Sequence, residues 1–403
     1  MTLGGGGIAI KLLTWLIVLL LLGVLSDRLI KLRLSPLASN IRYGWLAVFI
    51  IFVFSNGMAG SLFGTRPSFS PGLVYPLILL LILAIDSNWS LSELIRSIKS
   101  GILIVLMLGF FLLIVKPSMV LEGGIVGSLT LLPFRYWGAS PHANALGSIA
   151  VLYLLLEILA PTTNKLWQKF GIAAALISII LAQSKTALLG LVFSLACLWI
   201  VPSYSDQTKV SRRDDIKNTL KLIFVMLLPI LLYTALFIAG YESKLEQLLS
   251  SDAGKSVTTL TGRTRIWEIA LQEWYENPIF GYGPELFSAE YRMRIGMLFA
   301  FHAHNQFIQT LAQSGLIGVA GLFLLLGALA FKLLSRAVAS RGVSLALFAF
   351  LLIRCITEVP LRSGNMISGE YLYLLALVAI AMSPPSSLRA LANRTSETRS
   401  EIN

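Results

Sequence analysis

All three histidines of the chain lie in two short polar clusters, Ser140-Pro141-His142-Ala143-Asn144 and His302-Ala303-His304-Asn305, each at the mouth of an apolar segment. A neutral imidazole takes a proton from a hydroxyl near neutral pH, which suits a general base. Three cations stand out beside them: Lys185, between two apolar runs in Gln183-Ser184-Lys185-Thr186, and Arg263 and Arg265 in Thr261-Gly262-Arg263-Thr264-Arg265. Guanidinium groups grip phosphates through bidentate, charge-assisted hydrogen bonds. A base beside fixed cations suits transfer of a group from a phosphorylated donor to an alcohol.

The elements that must position these residues are membrane helices. Hydrophobic residues make up 56% of the 403, charged residues only 13%, and the mean hydropathy is +0.79. A soluble domain carries about 25% charged residues. Apolar runs long enough to approach the roughly 17–25 residues of a membrane span recur from end to end. They fall near 8–25, 43–60, 71–85, 100–116, 143–160, 169–184, 186–201, 221–240, 311–334, 343–359 and 368–383. The runs are Leu- and Ile-rich without alternation, which predicts helices rather than a barrel. The expected fold is an all-α polytopic membrane protein of about 11–12 transmembrane helices, with helices in 1–240, one large and partly helical loop at 241–305, and helices plus a tail in 306–403.

Basic residues gather in short connections. Arg28, Lys31, Arg33 and Arg42 occupy 26–42; Lys209, Arg212, Arg213, Lys217 and Lys221 occupy 202–221; Lys332, Arg336 and Arg341 follow the run at 311–334; Arg389, Arg394 and Arg399 fill the tail. The positive-inside rule makes these stretches cytoplasmic, so the net charge of +12 is read as topology rather than as nucleic-acid binding. The connections at 86–99 and 161–169 then also fall inside. Those at 117–142, 184–186, 241–305 and 360–367 face the outer side, periplasmic or extracellular. The first run, followed directly by Asp27 and Arg28, reads as an uncleaved anchor. Cys197 and Cys355 sit in apolar runs, and no disulfide is expected.

Within the large loop, Ile266, Ile269, Ala270 and Trp274 form a helical stripe that Asn277-Pro278 ends, and Gly281-Tyr282-Gly283-Pro284 is a turn. The register thus brings His142, Asn144, Lys185, Arg263, Arg265, His302, His304 and Asn305 to one face. A charge at membrane depth costs about 2.5–3.5 kcal/mol on insertion scales, so Lys185 is read as functional or as snorkelling to the interface. His302 and His304, at i and i+2, point to different faces of a helix, so no metal site is expected. Gly315, Gly318 and Gly321 are read as allowing close helix packing. Glu358, ahead of Pro360, reads as an interfacial carboxylate paired with Arg362.

Several motifs carry a family resemblance: Thr261-Gly262-Arg263-Thr264-Arg265-Ile266-Trp267, then Glu276-Asn277-Pro278-Ile279-Phe280-Gly281-Tyr282-Gly283, His302-Ala303-His304-Asn305-Gln306-Phe307-Ile308 and Gly315-Leu316-Ile317-Gly318. In this order they resemble the signature of the O-antigen ligase and polymerase superfamily, and Pro141-His142-Ala143-Asn144-Ala145-Leu146-Gly147 resembles a further element of it. The resemblance covers roughly residues 135–320. It implies a bacterial inner-membrane glycosyltransferase, inverting and needing no metal or other cofactor. Such an enzyme takes a glycan from undecaprenyl diphosphate and joins it to a sugar hydroxyl. The acceptor is lipid A–core in ligases and another lipid-linked glycan in polymerases.

Carried onto this sequence, the resemblance makes His304 the catalytic histidine that activates the acceptor hydroxyl. Arg263, with Arg265 as assistant, would bind the donor diphosphate. Lys185 stands where a Ser-Arg pair is common in the family, a departure that replaces a bidentate guanidinium by a point charge. His142, Asn144 and Asn305 are candidate substrate contacts, and His302 a bystander. The ligase is the preferred reading; the polymerase and a transporter of lipid-linked glycans are the alternatives. Against the transporter stands the lack of internal repeats and of charges midway along several helices, Arg354 excepted.

Overall fold

A computed structural model describes residues 42–68, 74–85, 89–123, 132–201, 263–362 and 369–391, with part of 16–30. The predicted run at 221–240, most of that at 8–25 and the loop residues 241–262 lie outside the described residues. The helices, in chain order, are α1 (Tyr43–Phe63), α2 (Val74–Ile85), α3 (Leu91–Val115), α4 (Ala143–Leu159), α5 (Lys165–Ala182), α6 (Lys185–Ile200), α7 (Arg263–Glu276), α8 (Ala289–Arg294), α9 (Gln306–Ser335), α10 (Val343–Thr357), α11 (Gly369–Met382) and α12 (Pro385–Leu391). Two three-residue strands, β1 (Leu121–Gly123) and β2 (Phe134–Tyr136), pair antiparallel with Glu122 opposite Arg135. The protein is an all-α polytopic membrane protein.

Among the described residues α1, α3, α5 and α9 are long and apolar enough to cross a membrane. Helices α4, α6 and α10 are apolar but shorter. A 17-residue helix such as α4 rises only about 26 Å. Helices α11 and α12 pass the same test only together, bent by 116°. Ser383, Pro384 and Pro385 stand at the bend, where a proline cannot continue the hydrogen-bond ladder.

The chain divides into two compact units. The first holds residues 1–90, 267–328 and 358–371. In it α1 loosens into a π-helical turn at Phe54–Met58, and polar groups there bind α9. Asn56 Nδ2 donates to the Gly318 carbonyl at 3.0 Å, and Ser314 Oγ donates to the Asn56 carbonyl at 2.8 Å. Gly321 faces Ser55 so closely that a Cβ would collide with its hydroxyl. Gly321 therefore serves close helix packing, as its spacing predicts, whereas a Cβ at Gly318 would meet Ser314 and Thr310 of α9 itself. Gly315 does something else: with φ +61 and ψ −160 it breaks α9 from within, and its backbone abuts the Ile279 carbonyl. Only glycine adopts that conformation without steric cost. The Leu316 N–H then donates to the Pro278 carbonyl at 2.9 Å, which clips the loop after α7 onto the kink.

The second unit holds residues 91–266, 329–357 and 372–403. Its centre is α10, where every residue from Val343 to Leu351 is buried. A helix apolar all round is a core helix. Gly190 of α6 lies flat against the Phe350 ring, and Tyr373 donates its hydroxyl to the Leu347 carbonyl at 2.6 Å. Helices α4 and α5 pack together, held partly by Gly171 against the Tyr153 ring.

Candidate functional site

The polar cluster of the first unit is built on the start of α9. Asn305 caps that helix: its Oδ1 accepts from the N–H groups of Phe307 at 2.9 Å and Ile308 at 3.1 Å. Gln309, one turn on and buried, accepts the Ala303 N–H at 2.7 Å, while the Ala303 carbonyl takes the Trp267 indole N–H at 2.6 Å. Gln306, also buried, accepts the Leu361 N–H at 2.9 Å. These side chains fix the backbone on both sides of the histidine pair and tie it to the segment after α10.

Held in that frame, His304 adopts φ +50, a left-handed conformation that few non-glycine residues take. Such strain, of order 1–3 kcal/mol, persists where the surroundings over-determine it, commonly at functional sites. His304 Nδ1 lies 3.1 Å from Glu358 Oε2, and the two side chains are 22% and 10% exposed. With its Nδ1–H on the carboxylate, the ring keeps Nε2 as the nitrogen able to accept a proton. His302 takes the His304 N–H on its own Nδ1 at 3.1 Å, and the two rings lie 4.0 Å apart. His302, His304 and Glu358 each bring one donor atom within 4.8 Å of the others, a set that could hold a metal ion. The expectation that the i, i+2 spacing turns the two histidines to different faces of a helix therefore fails, because they lie in the loop before α9 with their rings side by side.

Two arginines brace the loop ahead of the histidines. Arg292 donates to the Leu298 carbonyl at 2.6 Å and lies 4.0 Å over the Phe301 ring; Arg362 donates to the Phe301 carbonyl at 3.0 Å. Burial, and then the charge of Arg292, lower the pKa of Arg362. Below them Tyr291 donates its hydroxyl to Glu273 at 2.8 Å, linking α8 to α7. Burial first, then that carboxylate, hold the phenol well above its ordinary range. The expected pairing of Glu358 was with Arg362; the structure gives Glu358 to His304 and sends Arg362 to a backbone carbonyl.

The other candidates lie at helix starts of the second unit. His142 is the N-cap of α4, its Nδ1 accepting from the Asn144 N–H at 3.1 Å. The two histidine clusters thus share one local device, an imidazole that captures the N–H two residues on. Asn144 Oδ1 in turn accepts from Arg135 Nη2 at 3.0 Å, and Arg135 Nε reaches the Ala182 carbonyl at 3.4 Å. Lys185 opens α6 and is exposed, behind the N-cap Ser184, whose Oγ accepts from Ala187 at 3.2 Å. Arg263 and Arg265 occupy the first turn of α7, which has no acidic residue. Cations at a helix N-terminus oppose the macrodipole, while an anion there is favoured.

Comparison with known proteins gives two partial matches. Residues 170–323 match the model of the O-antigen ligase family. They include Lys185, Arg263, Arg265, His302, His304, Asn305 and the Gly315 kink. The exopolysaccharide production protein ExoQ of Rhizobium meliloti (strain 1021) is 30% identical over 133 residues, 30% of this chain and 31% of ExoQ. Over these stretches the chain is similar to the O-antigen ligase family and to ExoQ. The matched stretch spans about a third of ExoQ's length.

The structure brings His302, His304, Asn305 and Glu358 together in one unit, and His142, Asn144 and Arg135 in the other. Sequence reasoning passed over Arg135 and underrated Glu358. The signal for Glu358 was present, a carboxylate at the end of an apolar helix, but its partner lies 54 positions away. Arg135 carried a weaker one, a lone cation in the short stretch before the first histidine cluster.

Proposed function

We propose that the protein is a membrane glycosyltransferase that moves a glycan from undecaprenyl diphosphate to a sugar hydroxyl, of the O-antigen ligase type with lipid A–core as acceptor. The observation that carries this reading is the His304–Glu358 pair at the start of α9. His304 Nε2 takes the proton of the acceptor hydroxyl as its oxygen attacks the anomeric carbon. The bond from that carbon to the phosphate oxygen breaks with inversion, and undecaprenyl diphosphate leaves with the electron pair. Glu358 holds the imidazole in the required tautomer and offsets the charge it gains. Arg263 and Arg265, at the start of α7, and Lys185, at the start of α6, receive the diphosphate, whose growing charge fixed cations stabilise. No metal is needed for these steps. His142, Asn144 and Asn305 contact the sugars, and the reacting face is periplasmic, on the inner membrane, with the carboxyl terminus cytoplasmic.

A second reading, a polymerase whose acceptor is another lipid-linked glycan, is favoured by the likeness to a protein named for exopolysaccharide production. Both readings share the donor chemistry, so one experiment tests them jointly and then divides them. Purified protein supplied with undecaprenyl-diphosphate-linked glycan is offered lipid A–core or a second lipid-linked unit. Joining to lipid A–core supports the ligase, elongation on the lipid carrier supports the polymerase, and neither product sinks the transferase. Glycan movement across vesicles without joining would make it a transporter.

A further inference from the structure

The second unit holds a cavity of about 480 Å³ where the start of α3, the end of α4 and the start of α5 meet. Its lining includes three cations, Arg96, Lys99 and Lys165, and, among the described residues, no carboxylate. Ser92, Thr162 and Trp167 add hydroxyls and an aromatic edge.

The three cations are not equivalent. Lys99 is buried and saturated: its ammonium donates to Glu157 Oε2 at 2.6 Å, to the Ala160 carbonyl at 2.6 Å and to Thr162 Oγ1 at 3.0 Å, which uses all three of its hydrogens. Glu157 in turn accepts from the Thr162 N–H and from Gln168 Nε2 at 3.1 Å. This neutral pair shapes the floor and locks the connection between α4 and α5. Arg96 and Lys165 are exposed at the mouth, and they leave the lining with a net positive charge. The start of α5 adds the partial positive charge of its N-terminus.

The flank of the mouth is apolar and outward-facing. Leu166, Trp167 and Phe170 are 79%, 58% and 45% exposed. Tryptophan at a helix end marks the membrane–water interface, and basic pockets between helices at that depth suit lipid headgroups. A cationic mouth bordered by an apolar rim matches one ligand class, a phosphate ester with an acyl chain attached. We propose that this cavity binds the phosphate of an anionic glycerophospholipid, through Arg96 and Lys165, with the acyl chains along Leu166 and Phe170. The site is independent of the proposed transfer reaction and of its residues.

The test uses the full chain in nanodiscs of phosphatidylcholine containing phosphatidylglycerol, with bound lipid counted by native mass spectrometry after release. The double variant Arg96→Gln/Lys165→Gln should retain phosphatidylglycerol roughly thirtyfold less well than the parent, since each cation near an anionic lipid surface contributes about a fivefold factor. Lys116→Gln, at the other end of α3, serves as control and should retain it as the parent does. An unchanged thermal midpoint in pure phosphatidylcholine shows that the double variant is folded. Equal retention by parent and double variant overturns the proposal. A second arm adds inorganic phosphate to protein in neutral detergent. Saturable phosphate binding that the double variant loses would make the ligand a free phosphate and overturn the lipid assignment, whereas lipid-dependent binding alone supports it.

Discussion

Two pairs of a nitrogen base with a carboxylate, one in each unit, show how similar contacts serve two ends. Lys99 and Glu157 are 8% and 3% exposed, and every hydrogen of the ammonium has an acceptor. His304 and Glu358 are 22% and 10% exposed, and the imidazole spends only Nδ1 on its partner. The first pair is closed. The second keeps one nitrogen for a substrate, on a residue held in left-handed backbone by a frame of buried glutamines. Saturation marks a brace, and a reserved valence marks a site.

The comparison breaks first at the reserved valence. Replacing His304→Ala removes the general base, and glycan joining in membranes given lipid-linked donor should fall by about 10²–10⁴-fold, with the protein still folded. A variant that joins glycan normally would remove His304 from the reaction. The closed pair should respond in the opposite sense. Lys99→Ala leaves the Glu157 carboxylate buried and uncompensated, which costs about 3–5 kcal/mol of stability, whereas the double change Lys99→Met/Glu157→Leu should cost much less. Thermal unfolding in a fixed detergent measures both. Joining activity per folded molecule should stay close to that of the parent in the double variant, and a selective loss there would mean that the brace reaches the chemistry.

How far these features were legible in the sequence depended on the range of the interactions. Local patterns read well: the α7 stripe and its stop at Asn277-Pro278 form as expected, with the Asn277 N–H returning to the Trp274 carbonyl at 3.0 Å. The apolar runs at 143–160, 169–184, 186–201 and 343–359 each hold a helix. At 100–116 the run misjudged the start, since α3 begins at Leu91. Arg96 and Lys99 made its first turns look like a connection, and the partner that lets Lys99 be buried is 58 positions away. The histidine clusters were visible as composition, but the carboxylate that completes one of them was not. Gly315 illustrates the same limit, because its spacing suggested packing while its backbone conformation answers to Pro278 and Ile279 in a distant loop.

A sharper probe of the open pair is Glu358→Gln, which keeps shape and loses charge. An amide can still accept from Nδ1 but no longer offsets the charge that the imidazole gains. Joining should drop by about 10–100-fold, as for other partners that orient a working histidine. The fall should appear in kcat with KM for donor nearly unchanged, since Glu358 acts through His304 rather than on the glycan. A rise in KM alone would assign the carboxylate to substrate binding and dissolve the contrast with Glu157.

The smallest effect separates position from contact at Asn305. Its Oδ1 caps α9, so Asn305→Ala should cost about 1 kcal/mol in stability. Serine caps nearly as well as asparagine but offers no amide to a sugar. If Asn305→Ser regains both the thermal midpoint and the joining rate, the residue contributes only by fixing the helix start behind His304. If the midpoint returns while the rate stays low, the amide touches substrate, and the reacting face extends from the imidazole onto the first turn of α9.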